Sequence, residues 1–317
     1  MRLLVTGGAG FIGSHFIRYI LREYPDYHII NVDALTYAAN LANLLSIADV
    51  DRYQFIHVDI RNLSKMEHIL STNNIDAVVH FAAETHVDRS IHAPSTFVET
   101  NVLGTQNLLE CARAHHVKTF VHISTDEVYG TLGSEGLFTE EIPLAPNSPY
   151  AASKASADFF VRSYYETYGM DTRITRCSNN YGPNQYPEKL IPVVIHQALK
   201  DEKIPLYGDG QNVRDWLHVY DHCTAIDRVL HKGSPGCVYN IGANNEWNNK
   251  DLIEEILTLM QVSRSQIESV PDRLGHDLRY AIDASKIRNE LGWQPVCDFR
   301  NGLKETIDWY VSQESNK

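Results

Sequence analysis

Nothing in this chain of 317 residues is both long enough and apolar enough to cross a bilayer as a helix, since no apolar run approaches 18 residues. A Cys-x-x-Cys pair is lacking as well. Cys111, Cys177, Cys223, Cys237 and Cys297 are odd in number and without pattern, which reads as reduced core thiols of a cytoplasmic protein, not as a disulfide framework. Positive charge is scarce: 28 Lys and Arg stand against 40 Asp and Glu, a net charge of −12. Nucleic acid and anionic membrane are repelled by such a chain, so neither is expected as a partner. A signal peptide is not expected either, because a core-strand pattern starts at Arg2. The 15 histidines include no His-Glu-x-x-His or comparable spacing. The adjacent His115 and His116 would point in different directions from a helix, so no metal is expected.

What is present suits an enzyme-sized globular unit. At 43% hydrophobic residues, the chain can bury a large core as one domain or two closely joined ones. Arg2 to Thr6 forms a short apolar run, and Phe11, Ile12, Phe16, Ile17, Ile20 and Leu21 then recur at helical spacing. Between them lies Thr6-Gly7-Gly8-Ala9-Gly10-Phe11-Ile12-Gly13. Glycines at a strand-to-helix turn let backbone approach a pyrophosphate, and the helix N-terminus offers free N–H groups and a positive dipole end. The spacing is G-x-x-G-x-x-G, a variant associated with extended short-chain dehydrogenase/reductases. A second apolar run, His28 to Val32, ends at Asp33, 20 residues beyond Gly13. A carboxylate there suits the adenosine ribose hydroxyls and favours NAD over NADP, whose 2′-phosphate it would repel. Asp59, closing the run Gln54 to Val58, is a second candidate, for the adenine, with a plain turn residue as the alternative.

Further strands are expected at Ala77–Phe81, Thr119–Ile123 and Thr172–Thr175, with helices at Thr96–Ala114 and Pro149–Tyr168. This alternation predicts an α/β architecture: a doubly wound parallel-sheet Rossmann fold with a smaller C-terminal substrate-binding region. The ligand crevice should open at the carboxyl ends of the strands. Beyond Cys177, Gly and Pro punctuate the chain until helical periodicity returns at Asp221–Leu230 and Asn249–Met260. The boundary is therefore placed between 1–177 and 178–317, with the two regions interleaved.

Ser124-Thr125-Asp126-Glu127 follows a strand, and Tyr150 and Lys154 open a helix behind Ser148-Pro149. Tyr150 and Lys154 are four apart and so face the same side, where an ammonium would lower the tyrosine pKa and hold the nicotinamide ribose. Two adjacent carboxylates beside that pair imply more than hydride transfer: oxidation needs one base, whereas elimination of water needs a second base and an acid.

With these motifs in hand, the chain resembles the dTDP-glucose 4,6-dehydratases, sugar-nucleotide-modifying members of the extended short-chain dehydrogenase/reductases. The segments that carry the resemblance are Val5–Gly13, Asp33–Ala38, His80–Ser90, Ser124–Gly130, Tyr150–Lys154, Asn179–Pro183, Arg214–Trp216 and Arg273–Asp277. The resemblance implies an NAD-dependent hydro-lyase of deoxysugar (rhamnose-type) biosynthesis. In that chemistry Tyr150 takes the C4 hydroxyl proton, Thr125 bonds that oxygen, Glu127 removes the C5 proton and Asp126 protonates the departing C6 hydroxyl. It further implies NAD contacts at Gly7, Gly10, Phe11, Ile12, Gly13, Asp33, Leu35, Thr36, Asp59, Ile60, Phe81, Ala82, Ala83, Thr100, Tyr150 and Lys154. Substrate contacts are implied at Glu84, Thr125, Asn179, Lys189, Leu190, Pro205, Tyr207, Arg214, Asn249, Arg273 and His276. Leu274 and Leu278 depart from the family pattern, and the compact segment Leu132–Pro146 is expected to border the active site. A UDP-sugar 4-epimerase or decarboxylase would share the fold and the Tyr-x-x-x-Lys pair but lack the Asp126-Glu127 pair; a non-catalytic NAD-binding protein should have lost Tyr150, Lys154 or the glycine loop. Relatives pair two long helices into a four-helix bundle. A homodimer is therefore expected, through the helices carrying Val102, Leu103, Leu108 and Leu109 and Phe159, Phe160, Tyr164 and Tyr168, with packing inside the monomer as the alternative.

Overall fold

The computed structural model describes residues 1–272 and 274–315. Its first half alternates β1 (Arg2–Thr6), α1 (Phe11–Glu23), β2 (His28–Asp33), β3 (Tyr53–His57), α2 (Leu63–Asn73), β4 (Ala77–His80), α3 (Val87–His92), α4 (Pro94–Phe97), α5 (Gly104–Ala114), β5 (Thr119–Thr125), α6 (Pro149–Tyr168) and β6 (Thr172–Cys177). There follow β7 (Asn179–Tyr181), α7 (Leu190–Leu199), β8 (Ile204–Tyr207), β9 (Val213–His218), α8 (Val219–Lys232), β10 (Val238–Ile241), β11 (Glu246–Asn248), α9 (Asn249–Met260), β12 (Ile267–Val270), α10 (Ser285–Leu291) and α11 (Phe299–Ser315).

Seven strands form one parallel sheet in the order β3-β2-β1-β4-β5-β6-β10. The strand order reverses between β1 and β4, and a crevice opens there at the carboxyl ends. This is the doubly wound Rossmann arrangement. Near-continuous apolar strands such as Leu3-Leu4-Val5 follow from burial on both faces. On one face, Phe16, Ile17 and Ile20 of α1 pack with Ile226 and Val229 of α8. On the other, Met66 and Ile69 of α2, Leu108 and Leu109 of α5 and Val161 of α6 form a second core. A third core joins α7, α9 and α11 around the small sheet β11-β9-β7. Strand β10 leaves that C-terminal region and pairs with β6, so the chain crosses between the layers more than once.

Helix α6 shows why the sequence folds locally as it does. Ser148 caps it by accepting from the Ala151 amide at 3.1 Å, Pro149 occupies the first turn, and Gly169 at φ 66° ends it. The single helix expected at Thr96–Ala114 begins at Pro94 and carries a π-helical stretch, Val98–Leu103. There the Asn101 side chain reaches the backbone of Glu84 and the Ser153 hydroxyl, at 2.8–3.0 Å. Leu108, Leu109 and Tyr164 lie in the core, whereas Val98, Leu103, Phe159, Phe160 and Tyr168 remain exposed. No helix among the described residues is long and apolar enough to cross a membrane.

Candidate active site

The glycine turn after β1 has the shape a dinucleotide requires. Gly7 has φ +73°, and a Cβ there would lie 2.6 Å from the Ala82 amide nitrogen, while one on Gly13 would strike the Gly7 carbonyl. Only glycine lets these backbones approach so closely. Helix α1 opens at Gly10 with no side-chain cap, leaving its first-turn amides for an anion in the crevice. Asp33 accepts from the Ala9 amide at 2.9 Å and the Leu35 amide at 2.8 Å, which fixes its carboxylate beside the glycine turn. Burial raises its pKa, and these two bonds oppose that.

Gly10, Phe11, Ile12, Thr36, Asp59, Ile60, Phe81, Ala82, Ala83 and Thr100 line the same cleft of about 490 Å³. The residues present thus fit NAD. Thr100 lies within the π-helical stretch, a feature that often marks functional sites. Asp59 is held by Arg61, 2.7 Å away. The Leu35 amide closes the Asp33 turn, and its side chain packs against the core beneath the cleft.

The acid–base residues gather at the end of β5. Thr125 caps a short 3₁₀ turn, Asp126–Tyr129, by accepting from the Glu127 amide at 3.3 Å. The Asp126 carboxyl is pushed well above the usual carboxylate range by burial and by the neighbouring Glu127 charge, with Arg214 opposing. An acid and a base can therefore sit side by side in opposite protonation states. Tyr150 and Lys154 reach the same cleft from α6. The Tyr150 phenol is shifted upwards, opposite to the lowering expected from Lys154. Burial and the Glu127 charge push the phenol well above 10. The lysine instead donates to the Ile123 carbonyl at 2.7 Å and lies 3.4 Å from His122 Nε2, and burial lowers it to about 8.

Across the cleft stand Glu84, Asn179, Lys189, Leu190, Pro205, Tyr207, Arg214, Asn249 and His276. Arg214 is aimed by the Val213 carbonyl at 2.7 Å and the Asp277 carbonyl at 2.9 Å, and its guanidinium lies 4.3 Å from the centre of the Tyr280 ring. Lys189 donates to the Thr85 carbonyl at 3.0 Å, and His276 pairs with Asp272 at 2.6 Å. Arg273 lies outside the described residues. Sequence reasoning missed Tyr280, Asp277 and Trp216 as cleft residues; the last two belong to the motif segments quoted above, which was the available signal. Residues 132–146 do not line the cleft. They pair behind Tyr280, through Leu132 with Arg279 and Phe138 with Ile282. No group of three or more possible metal ligands occurs among the described residues.

The family model of GDP-mannose 4,6 dehydratase matches residues 4–306. The dTDP-glucose 4,6-dehydratase of Streptomyces niveus is 50% identical, over 98% of this chain and 93% of that one. The chain belongs to the dTDP-glucose 4,6-dehydratase family. A dTDP-glucose 4,6-dehydratase of Streptomyces venezuelae, solved with NAD bound, is 51% identical with a TM-score of 0.97, covering 99% of this chain and 98% of that one. A UDP-glucose 4-epimerase of Thermotoga maritima, solved with UDP-glucose, still reaches a TM-score of 0.92 at 29% identity, covering 99% of this chain and 100% of that one. Fold alone therefore does not separate the dehydratase family from the epimerases; the residues at the end of β5 must.

Proposed function

We propose that this chain dehydrates dTDP-glucose to dTDP-4-keto-6-deoxyglucose with NAD as cofactor, in deoxysugar biosynthesis. The observation that carries this reading is the Asp126-Glu127 pair at the end of β5, with Asp126 buried and biased towards its acid form beside Tyr150. NAD, held by the glycine turn, Asp33 and Lys154, would supply the hydride acceptor for C4 and the hydride donor for C6. Tyr150 takes the C4 hydroxyl proton while Thr125 bonds that oxygen. The 4-ketone acidifies the C5 proton, which Glu127 removes, and Asp126 protonates the C6 hydroxyl so that it leaves as water. Glu127 then returns a proton to C5. Arg214, Arg273 and Lys189 hold the diphosphate, for which guanidinium forks are suited. Glu84, Asn179, Asn249 and His276 contact the rest of the nucleotide sugar, with Leu190, Pro205 and Tyr207.

The protein acts as a cytoplasmic homodimer in this reading, and the exposed Val98, Leu103, Phe159, Phe160 and Tyr168 form the pairing face. Mass spectrometry of dTDP-glucose incubated with protein and NAD tests the activity. Loss of one water is expected, slowed by roughly 10²–10⁴-fold in Asp126→Asn and Glu127→Gln. An unchanged mass with a new isomer would mean 4-epimerisation. No conversion would reject the reading for this sugar nucleotide.

A further inference from the structure

Behind Lys154 stands a buried carboxylate that no step above uses. An ammonium has three N–H donors. Lys154 gives one to the Ile123 carbonyl at 2.7 Å and points one towards His122 Nε2 at 3.4 Å, while lining the cleft itself. On the other side, His122 Nε2 lies 3.6 Å from Oδ1 of Asp158, one helical turn beyond Lys154 on α6. That distance is too long for a hydrogen bond, and the buried Oδ1 has no hydrogen-bond partner among the described residues. Oδ2 accepts from Arg176 Nε at 2.9 Å. Arg176 also donates to the Tyr129 hydroxyl at 2.9 Å, which donates to Asn240 at 2.8 Å. The carboxylate is thus fixed from β6 and β10, with one oxygen turned towards His122.

A buried ammonium needs a counter-charge, because burial favours the neutral amine. His122 cannot supply it: burial and the Lys154 charge push the imidazole well below 6.5, so it stays neutral. Around the two lie His80 on β4, Cys177 and Arg176 on β6, and Tyr150 in the shared cleft. Burial pushes His80 down to about 3 and the Cys177 thiol up to about 12, so both are neutral as well. Asp158 is left as the anion that opposes burial at the amine.

We propose that Asp158 is a positioning residue: acting across His122, it keeps the Lys154 ammonium charged and directed into the cleft. Arg176, anchored on Tyr129, holds the carboxylate in place for that task. In the dehydratase reading, on which the kinetic part of this inference rests, the ammonium so held bonds the nicotinamide ribose beside Tyr150. Asp158 touches neither cofactor nor sugar and acts through Lys154 alone.

The test reads the lysine itself. Protein loaded with NAD and isotope-labelled at lysine Cε is titrated by NMR, and the Lys154 signal is the one missing from Lys154→Met. Asp158→Asn should lower the midpoint of that signal by at least about 1 pH unit relative to the wild type. Arg176→Met breaks the same ion pair but keeps the carboxylate, so its midpoint should not fall. Where Asp158→Asn does not fold with the guanidinium unpaired, the double variant Asp158→Asn with Arg176→Met carries the same expectation as Asp158→Asn. The kcat for dTDP-glucose should follow the charged fraction of Lys154, falling roughly 3- to 30-fold in Asp158→Asn at about pH 7.5. An unmoved midpoint in Asp158→Asn, or an equal fall in Arg176→Met, overturns the proposal and leaves Asp158 as a structural partner of Arg176. A wild type that releases no water from dTDP-glucose overturns the dehydratase reading, and the lysine signal then decides the role of Asp158 by itself.

Discussion

The Lys154 ammonium donates to the Ile123 carbonyl at 2.7 Å, two residues before Thr125. One side chain thereby fastens the helix that carries Tyr150 to the strand that ends in Thr125, Asp126 and Glu127. The bond is made deep in the protein, where Lys154 is 3% exposed, and burial lowers the amine to about 8 against the opposing charges of Asp158 and Cys177.

That burial has a signature in stability. Lysine in the unfolded chain titrates near 10.5, and Lys154 in the folded chain titrates at about 8. Between those values the unfolded chain binds more protons, so this lysine makes the wild type gain stability as pH rises through the window. Lys154→Met lacks the titration. The melting temperature of the wild type minus that of the variant should be flat below about pH 8 and climb towards pH 10.5. A difference that stays flat throughout would mean the amine is solvated.

Asp158 and Arg176 form an ion pair at 2.9 Å, with side chains 1% and 7% exposed. Asp158→Ala would leave a buried guanidinium without its carboxylate, at a cost of about 3–5 kcal/mol. Urea unfolding measures this. Replacing both residues by apolar ones of similar volume should recover much of the loss, and a double variant as unstable as the single one would count against the pair as the cause.

Gly7→Ala should lower stability by about 1–3 kcal/mol and weaken NAD binding, since the new methyl is both at positive φ and pressed on the Ala82 backbone. Calorimetric titration with NAD, beside thermal melts, checks both. Unchanged NAD affinity would place the dinucleotide away from this turn.

Tyr280→Ala removes the ring beneath the Arg214 guanidinium. A stacked cation of this kind contributes about 0.5–2 kcal/mol, so KM for dTDP-glucose should rise roughly 2- to 30-fold with a smaller change in kcat. Steady-state kinetics decides it. A fall in kcat alone would move Tyr280 from holding Arg214 to serving the chemistry near Glu127.

Local signals carried much of this structure. The apolar runs from Arg2 to Cys177 form strands within a residue or two of their expected limits, because buried parallel strands need continuous apolar sequence. Thr125, Asp126, Tyr150 and Lys154 meet in one cleft for a similar reason: the motifs sit at strand ends and helix starts, where the fold directs them inwards. Other features depend on contacts distant in sequence. Nothing near Val98–Leu103 announces a π turn; Asn101 is drawn to Glu84 and Ser153, 17 and 52 residues away. Tyr280 reaches Arg214 only because residues 277–280 run alongside β9. Lys154 points to Ile123 and His122, a direction that the four-residue spacing to Tyr150 could not reveal.

The pairing of β10 with β6 makes the two halves of the chain mutually dependent. A polypeptide ending at Cys177 would bare one edge of β6 to other chains and strip α8 from α1, inviting strand-to-strand aggregation in place of folding. Amide protons of Val238–Ile241 should accordingly exchange as slowly as those of Thr172–Cys177, in a molecule that melts as one cooperative body.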